Sequence, residues 1–182
     1  MTIIKKLFCA SQKLRTDDKG VTALEFAILG PVYFAMLLGI LEIGYTFLKV
    51  NMLNNAVAIV SKEIYTGAAS NGTVSYEDIE NSICENIYFS GSDCTSNLQI
   101  EVTEVTSLQA LPTTGAECAD TNVALNPSVD YNPGSAKSII FLRACYLTDI
   151  LTPGLALGLH LNKTNDNKYA IIGSTAFVNE PF

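Results

Sequence analysis

A glycine, a valine and, four residues further on, a glutamate mark the most unusual stretch of this sequence, "KGVTALEFAILGP" at positions 19–31. Cutting the peptide bond between Gly20 and Val21 would give Val21 a free α-ammonium one helical turn from the Glu25 carboxylate. Residues at i and i+4 share a helix face, and an acid in the first turn suits the positive end of the backbone dipole. The amine can equally be matched by Glu25 of a neighbouring subunit in a packed bundle. In apolar surroundings either pairing is strongly favoured over two lone charges. A third reading leaves Glu25 in a lipid headgroup layer as a plain helix-start acid. The residues alone keep all three open. The question is sharp because a charge near the centre of a membrane span costs roughly 2.5–3.5 kcal/mol.

Bond-making chemistry finds little to work with. The chain has no GxSxG, no HExxH, no phosphate-binding GxxxxGK[ST] loop and no dinucleotide glycine pattern. A Ser-His-Asp or Cys-His arrangement would have to use His160, the single histidine, which sits among leucines in "GLALGLHLN" as a packed or surface histidine does. The acids are scattered, and nothing selects a carboxylate pair for glycoside chemistry. No catalytic residue and no cofactor is expected.

The cysteines point to stapling. Cys9 stands near the N-terminus, whereas Cys84, Cys94, Cys118 and Cys145 all follow the apolar segment. An even number in a small domain predicts an oxidising compartment and two disulfides. The sequence-near pairing is Cys84–Cys94 with Cys118–Cys145, one of the possible connectivities. Zinc is the rival, but no CxxC pair exists and histidine is nearly absent, so no metal site is expected.

Charge and hydropathy say what must carry these residues. The net charge of −7 over 182 residues is uneven. Positions 1–20 hold five basic residues against two acids, a balance of +3, and positions 21–182 hold six against sixteen, a balance of −10. An acidic domain argues against nucleic-acid binding, which needs a basic face. A basic tag directly before an apolar segment fits the cytoplasmic side of a membrane. Phe26–Leu48 is twenty-three residues with Glu42 as the one charge. As a helix that stretch is about 35 Å long, enough to cross a hydrocarbon core of about 30 Å. An ordinary cleaved secretory signal fits poorly, because Ala56-Val57-Ala58 lies far beyond an apolar core already too long for one.

The helix is predicted to continue outward. Val50, Leu53, Val57, Val60 and Ile64 form an apolar stripe at helical spacing until Gly67 ends it. Pro31 removes a backbone donor and predicts a kink. A short helix is expected over "SYEDIENSICENIYF", with Ser75 as its cap and Ile79, Ile83 and Ile87 on one face. Strands are expected over 98–105, 138–147 and 168–178, with a long loop over 107–136 and a loop or short helix over 151–161. The predicted class is α+β, a long N-terminal transmembrane helix extending into a small domain with an antiparallel sheet. Its parts are a basic leader at 1–20, a transmembrane helix at 21–48, an outward extension at 49–67 and a disulfide-containing domain at 68–182.

The basic leader, Gly20 and "VTALEF" with glutamate fifth after the glycine resemble a type IV prepilin processing site. The fuller stretch 17–67, with Pro31 inside the span and "GILEIGY" at its far end, resembles the TadE-like minor pseudopilins of the tight-adherence (Tad) pilus. The terminal "AFVNEPF" is also similar to endings in that family. The resemblance implies a pilin-like fold, cleavage after Gly20 by a prepilin peptidase, and Glu25 as the acid that pairs with the new N-terminus during assembly. It implies an inner-membrane, single-pass protein with a cytoplasmic N-terminus and a periplasmic domain. Its partners would be membrane lipid, other minor and major pilins and the inner-membrane pilus machinery. The alternative is an uncleaved, membrane-anchored periplasmic binding or sensor domain.

Overall fold

Forty-five consecutive residues, Val21–Tyr65, form one α-helix, α1. The computed structural model describes residues 20–66, 74–89, 93–107, 109, 111, 131–152, 154, 158, 161 and 168–180. After α1 come α2 (Tyr76–Asn86), α3 (Cys94–Asn97), β1 (Leu98–Val105), β2 (Ile139–Asp149) and β3 (Lys168–Val178). The fold is α+β, a long apolar N-terminal helix followed by a small antiparallel sheet in the order β1-β2-β3. The chain divides into two units, Met1–Leu41 and Glu42–Phe182, and α1 contributes to both.

In the first unit α1 shows its apolar side chains on every side. Leu24, Phe26, Ile28, Leu29, Val32, Tyr33, Phe34, Met36, Ile40 and Leu41 are each more than half exposed. A helix apolar all round has no face suited to water and needs a membrane or a partner around it. α1 is long and apolar enough to cross a membrane. Pro31 stands inside it, and the helix runs on beyond the donor that Pro31 lacks.

In the second unit the same helix is amphipathic. Leu53, Ala56, Val57, Val60 and Ile64 are fully buried, and Val50 packs against them from a partly buried position. They meet the inward face of the sheet, where Ala144 pairs with Gly173 and Tyr146 with Ile171. Alternation puts Leu98, Ile100 and Val102 of β1 on the same inward face, opposite Tyr146, Ala144 and Leu142. Ile79, Ile83 and Ile87 complete the core from α2 and its C-cap. Fully burying each such aliphatic side chain stabilises the fold by about 1.5–3 kcal/mol.

Gly173 marks a close approach of helix and sheet. A methyl group there would stand 3.1 Å from Asn54 Oδ1, 3.2 Å from Leu53 Cγ and 3.3 Å from Val57 Cγ2. Overpacking of this kind costs about 1–3 kcal/mol. Gly173→Ala is expected near the low end of that range and Gly173→Val near the high end. Urea unfolding of the full chain in detergent, comparing both variants with the parent, measures the difference.

α2 starts with a reciprocal cap. The Ser75 backbone N–H donates to Asp78 Oδ2 at 2.8 Å, and the Asp78 N–H donates to Ser75 Oγ at 3.3 Å. The Ser75 backbone N–H, and after it the Ser75 hydroxyl, hold the Asp78 carboxyl below its ordinary value of 3.8. A depressed carboxylate pKa contributes stability that is present above the unfolded value and is lost as pH falls through the folded one. Amide-exchange protection at the start of α2 is therefore expected to drop as pH is lowered below about 4. Asp78→Asn should flatten that profile.

α3, which the sequence reading did not foresee, places Cys94 beside α2. The Cys84–Cys94 disulfide spans a sequence separation of 10 with Cα atoms 5.8 Å apart. Closing so short a loop in the unfolded chain is worth about 2–3 kcal/mol. Cys145, on the outward face of β2, is also disulfide-bonded, and Cys118 lies outside the described residues, as does Cys9. β2 runs two residues further than expected, to Asp149. Tyr131, in the stretch expected to be loop, forms a parallel bridge with Val102, and its hydroxyl donates to Val74 O at 3.0 Å.

The C-terminal residues close the unit. Asn179, 1% exposed, donates from Nδ2 to Pro133 O at 2.8 Å, and its backbone N–H donates to Ser138 O at 3.0 Å. The Glu180 N–H donates to Tyr65 O at 3.1 Å, which satisfies a carbonyl that the end of α1 leaves free.

Candidate functional site

Gly20 directly precedes α1, and Val21 is its first residue. The backbone at Gly20 does not occupy the left-handed region, and a Cβ added there would meet nothing within 4 Å. Among the described residues the fold thus gives no steric reason for a glycine at this position.

Val21 is about half exposed and Glu25 is exposed. Glu25 is the fifth residue of α1, so it lies just past the first turn, which contains no acid. The dipole argument for a first-turn acid is weakened accordingly. Its i,i+4 relation to Val21 stands, with a rise of about 6 Å between them. Among the described residues Glu25 has no side-chain partner. In the intact chain the Val21 nitrogen is an amide and carries no charge. The geometry thus offers an exposed carboxylate on an apolar helix, one turn above a bond whose hydrolysis would create the amine to match it.

Sequence reasoning missed a second polar group, which lies wholly in the second unit. Glu42 is 3% exposed and Lys49 is 4% exposed. The Thr152 N–H donates to Glu42 Oε1 at 3.1 Å, and the Thr152 hydroxyl donates to Glu42 Oε2. Lys49 Nζ donates to Thr148 Oγ1 at 2.6 Å and to Asp149 O at 3.3 Å, and it lies 4.3 Å from the centre of the Tyr45 ring. Thr46 and Tyr169 share a hydroxyl hydrogen bond of 3.0 Å. Burial lowers the Lys49 ammonium from its ordinary value, and the charges of Asp149 and Glu42 hold part of it back. The signal was available in the spacing. Glu42, Thr46, Lys49, Leu53, Ala56, Val60 and Ile64 follow one another at helical intervals, so the buried face of α1 continues back through two charged residues.

Among the described residues no group of three His, Cys, Asp or Glu side chains could hold a metal ion. His160 and the leader residues 1–19 lie outside the described residues.

Compared with known proteins, residues 20–60 match the family model of TadE-like proteins. That match begins at the glycine and ends within the second unit's part of α1. No curated protein and no solved structure matches the chain.

Proposed function

From the TadE-like segment at residues 20–60, we propose that this chain is a minor pseudopilin required to assemble or initiate a Tad-type adhesive pilus. A prepilin peptidase cuts it after Gly20, and the freed Val21 ammonium pairs with Glu25 of its own or a neighbouring chain. The apolar helix holds the subunit in the inner membrane, with the leader in the cytoplasm and the domain in the periplasm. From there the subunit joins other minor and major pilins through the inner-membrane assembly machinery.

One observation carries this reading: the family match starts at a glycine for which the chain's own fold provides no steric need. Glu25 supports it, as an exposed acid one turn from the proposed new terminus without a partner among the described residues. Neither the core nor the disulfide asks for either residue. A positively charged leader before the span supports the orientation. The role asks no bond-making chemistry of this chain.

Glu25→Ala tests the pairing step. The variant is expected to be cut normally and to reach the membrane in normal amount, while surface pili fall about tenfold or more, as loss of a charge pair in an apolar setting predicts. Electron microscopy of pili, with an immunoblot for the cut chain, reads both. Normal pili from a correctly cut Glu25→Ala chain would remove Glu25 from assembly.

A further inference from the structure

The two sides of α1 change character at different residues. On the buried side, the second unit takes hold at Glu42. On the exposed side, apolar residues continue beyond that point: Ile43 is 55% exposed, Phe47 69% and Leu48 48%. Polar residues then replace them, with Asn51, Asn54, Asn55 and Lys62 all exposed. Between Glu42 and Leu48, therefore, one helix packs into a protein core on one side and shows oily side chains on the other.

The lengths give that overlap a location. Val21–Leu41 as a helix measures about 31 Å, the thickness of a bilayer's hydrocarbon core. Val21–Leu48 measures about 42 Å, the thickness of a bilayer with its headgroup layers included. Glu42–Leu48 adds about 10 Å, more than the roughly 5–8 Å of a single headgroup layer, so the zone runs from the edge of the hydrocarbon through that layer. Tyr45 lies within it, 38% exposed, and tyrosine is a residue enriched at that depth.

The sheet contributes at the same level. Thr152, just past the end of β2, is hydrogen-bonded through both its N–H and its hydroxyl to Glu42, the first residue of the zone. Its neighbour Leu151 is 59% exposed. An apolar side chain is thus held at the depth where α1 leaves the hydrocarbon. The charge in this zone on α1, Glu42, and the one just past it, Lys49, are turned into the domain and do not oppose lipid contact.

We infer that the domain is seated on the bilayer rather than held off it by a stalk, with Ile43, Phe47, Leu48 and Leu151 in contact with lipid at the headgroup–acyl boundary. The occupant of this surface is the membrane itself, because the exposed apolar side of α1 continues unbroken from the span into it. The inference rests on the reading of α1 as a membrane helix. It moves the start of the domain's grip from residue 49 to Glu42. It also makes the Glu42–Thr152 contact the lock that sets how deep the domain sits.

The sequence contains no tryptophan, so Phe34→Trp, Leu151→Trp and Glu104→Trp each introduce one reporter into the full chain. Each is reconstituted in phosphatidylethanolamine–phosphatidylglycerol vesicles. Lipids brominated near the headgroup are expected to quench most of the Leu151→Trp emission, and chains brominated near their ends to quench Phe34→Trp. Glu104→Trp, at the opposite end of the sheet, should be quenched by aqueous iodide instead. Tryptophan itself favours the interface, so the unaltered chain provides a second arm. A phospholipid carrying a photoreactive group beside its headgroup is expected to label the peptide containing Leu151 and to spare that containing Glu104. Leu151 reached by iodide and unlabelled by lipid, with Phe34→Trp still quenched, would overturn the seating and leave the span intact. Crosslinking of Leu151 to a second copy in place of lipid would overturn it as well. A Phe34→Trp signal insensitive to every brominated lipid would overturn the span.

Discussion

A chain carrying Gly20→Leu is expected to accumulate in the membrane with its leader attached and to leave cells without surface pili. The effect should be close to complete, because in the proposed function cleavage is a single step through which every subunit passes. The substitution is informative because the fold has no stake in it. A Cβ at Gly20 meets nothing within 4 Å, and the backbone there is not left-handed. The core of the second unit, from Leu53 to Ile171, contains no atom of Gly20. A defect therefore cannot be assigned to misfolding, and unchanged unfolding behaviour of the purified variant would document that. Gly20→Ala, which adds one methyl group into open space, is expected to be cut slowly and to restore part of the piliation. Full cutting of the leucine variant would mean that no peptidase pocket reads this position.

Glu42→Ala should give the largest loss of stability among single changes on the polar side of α1. It strips acceptors from the Thr152 N–H and hydroxyl and leaves Lys49, 4% exposed, with Asp149 alone of the two acids whose charges support it. Leaving these part-buried donors unpaired and removing one of the charges that support a buried cation costs about 2–3 kcal/mol. In urea this corresponds to a midpoint lowered by about 1–2 M. Glu42→Gln keeps an acceptor for Thr152 and loses the charge, and about half the effect is expected. The measurement is unfolding of the full chain in detergent followed by a probe in the sheet. Equal midpoints for Glu42→Ala and the parent would mean that Glu42 does not fasten helix to sheet.

Much of the fold was legible because two periodicities dominate it. The apolar run followed by Leu53, Val57, Val60 and Ile64 predicted one helix of this length, and Val21–Tyr65 is that helix. Alternation in "LQIEVTEV" predicted β1 at its observed bounds, and "KYAIIGSTAFV" predicted β3. What escaped depended on partners distant in sequence. α3 is only Cys94–Asn97, too short for a period to show. Tyr131 joins the sheet edge through Val102, and nothing local to a Gly/Pro/Asn/Thr-rich stretch announces that bridge. Glu42 and Lys49 were passed over because an apolar stripe is counted in apolar residues. Their burial depends on Thr152 and Thr148, about a hundred positions away.

The candidate site shows the opposite balance. Gly20, Val21 and Glu25 stand out in the sequence because they interrupt a membrane-like pattern, whereas their neighbours in the fold say little about them. In the proposed function their chemistry is directed at a peptidase and at other subunits. The structure adds something the letters alone do not contain, the open space around Gly20.

N-terminal sequencing of the mature protein from the membrane tests the account at its centre. The expected result is a chain beginning at Val21, with Thr22-Ala23-Leu24-Glu25 following. A mature, membrane-resident chain that still begins at Met1 would contradict it.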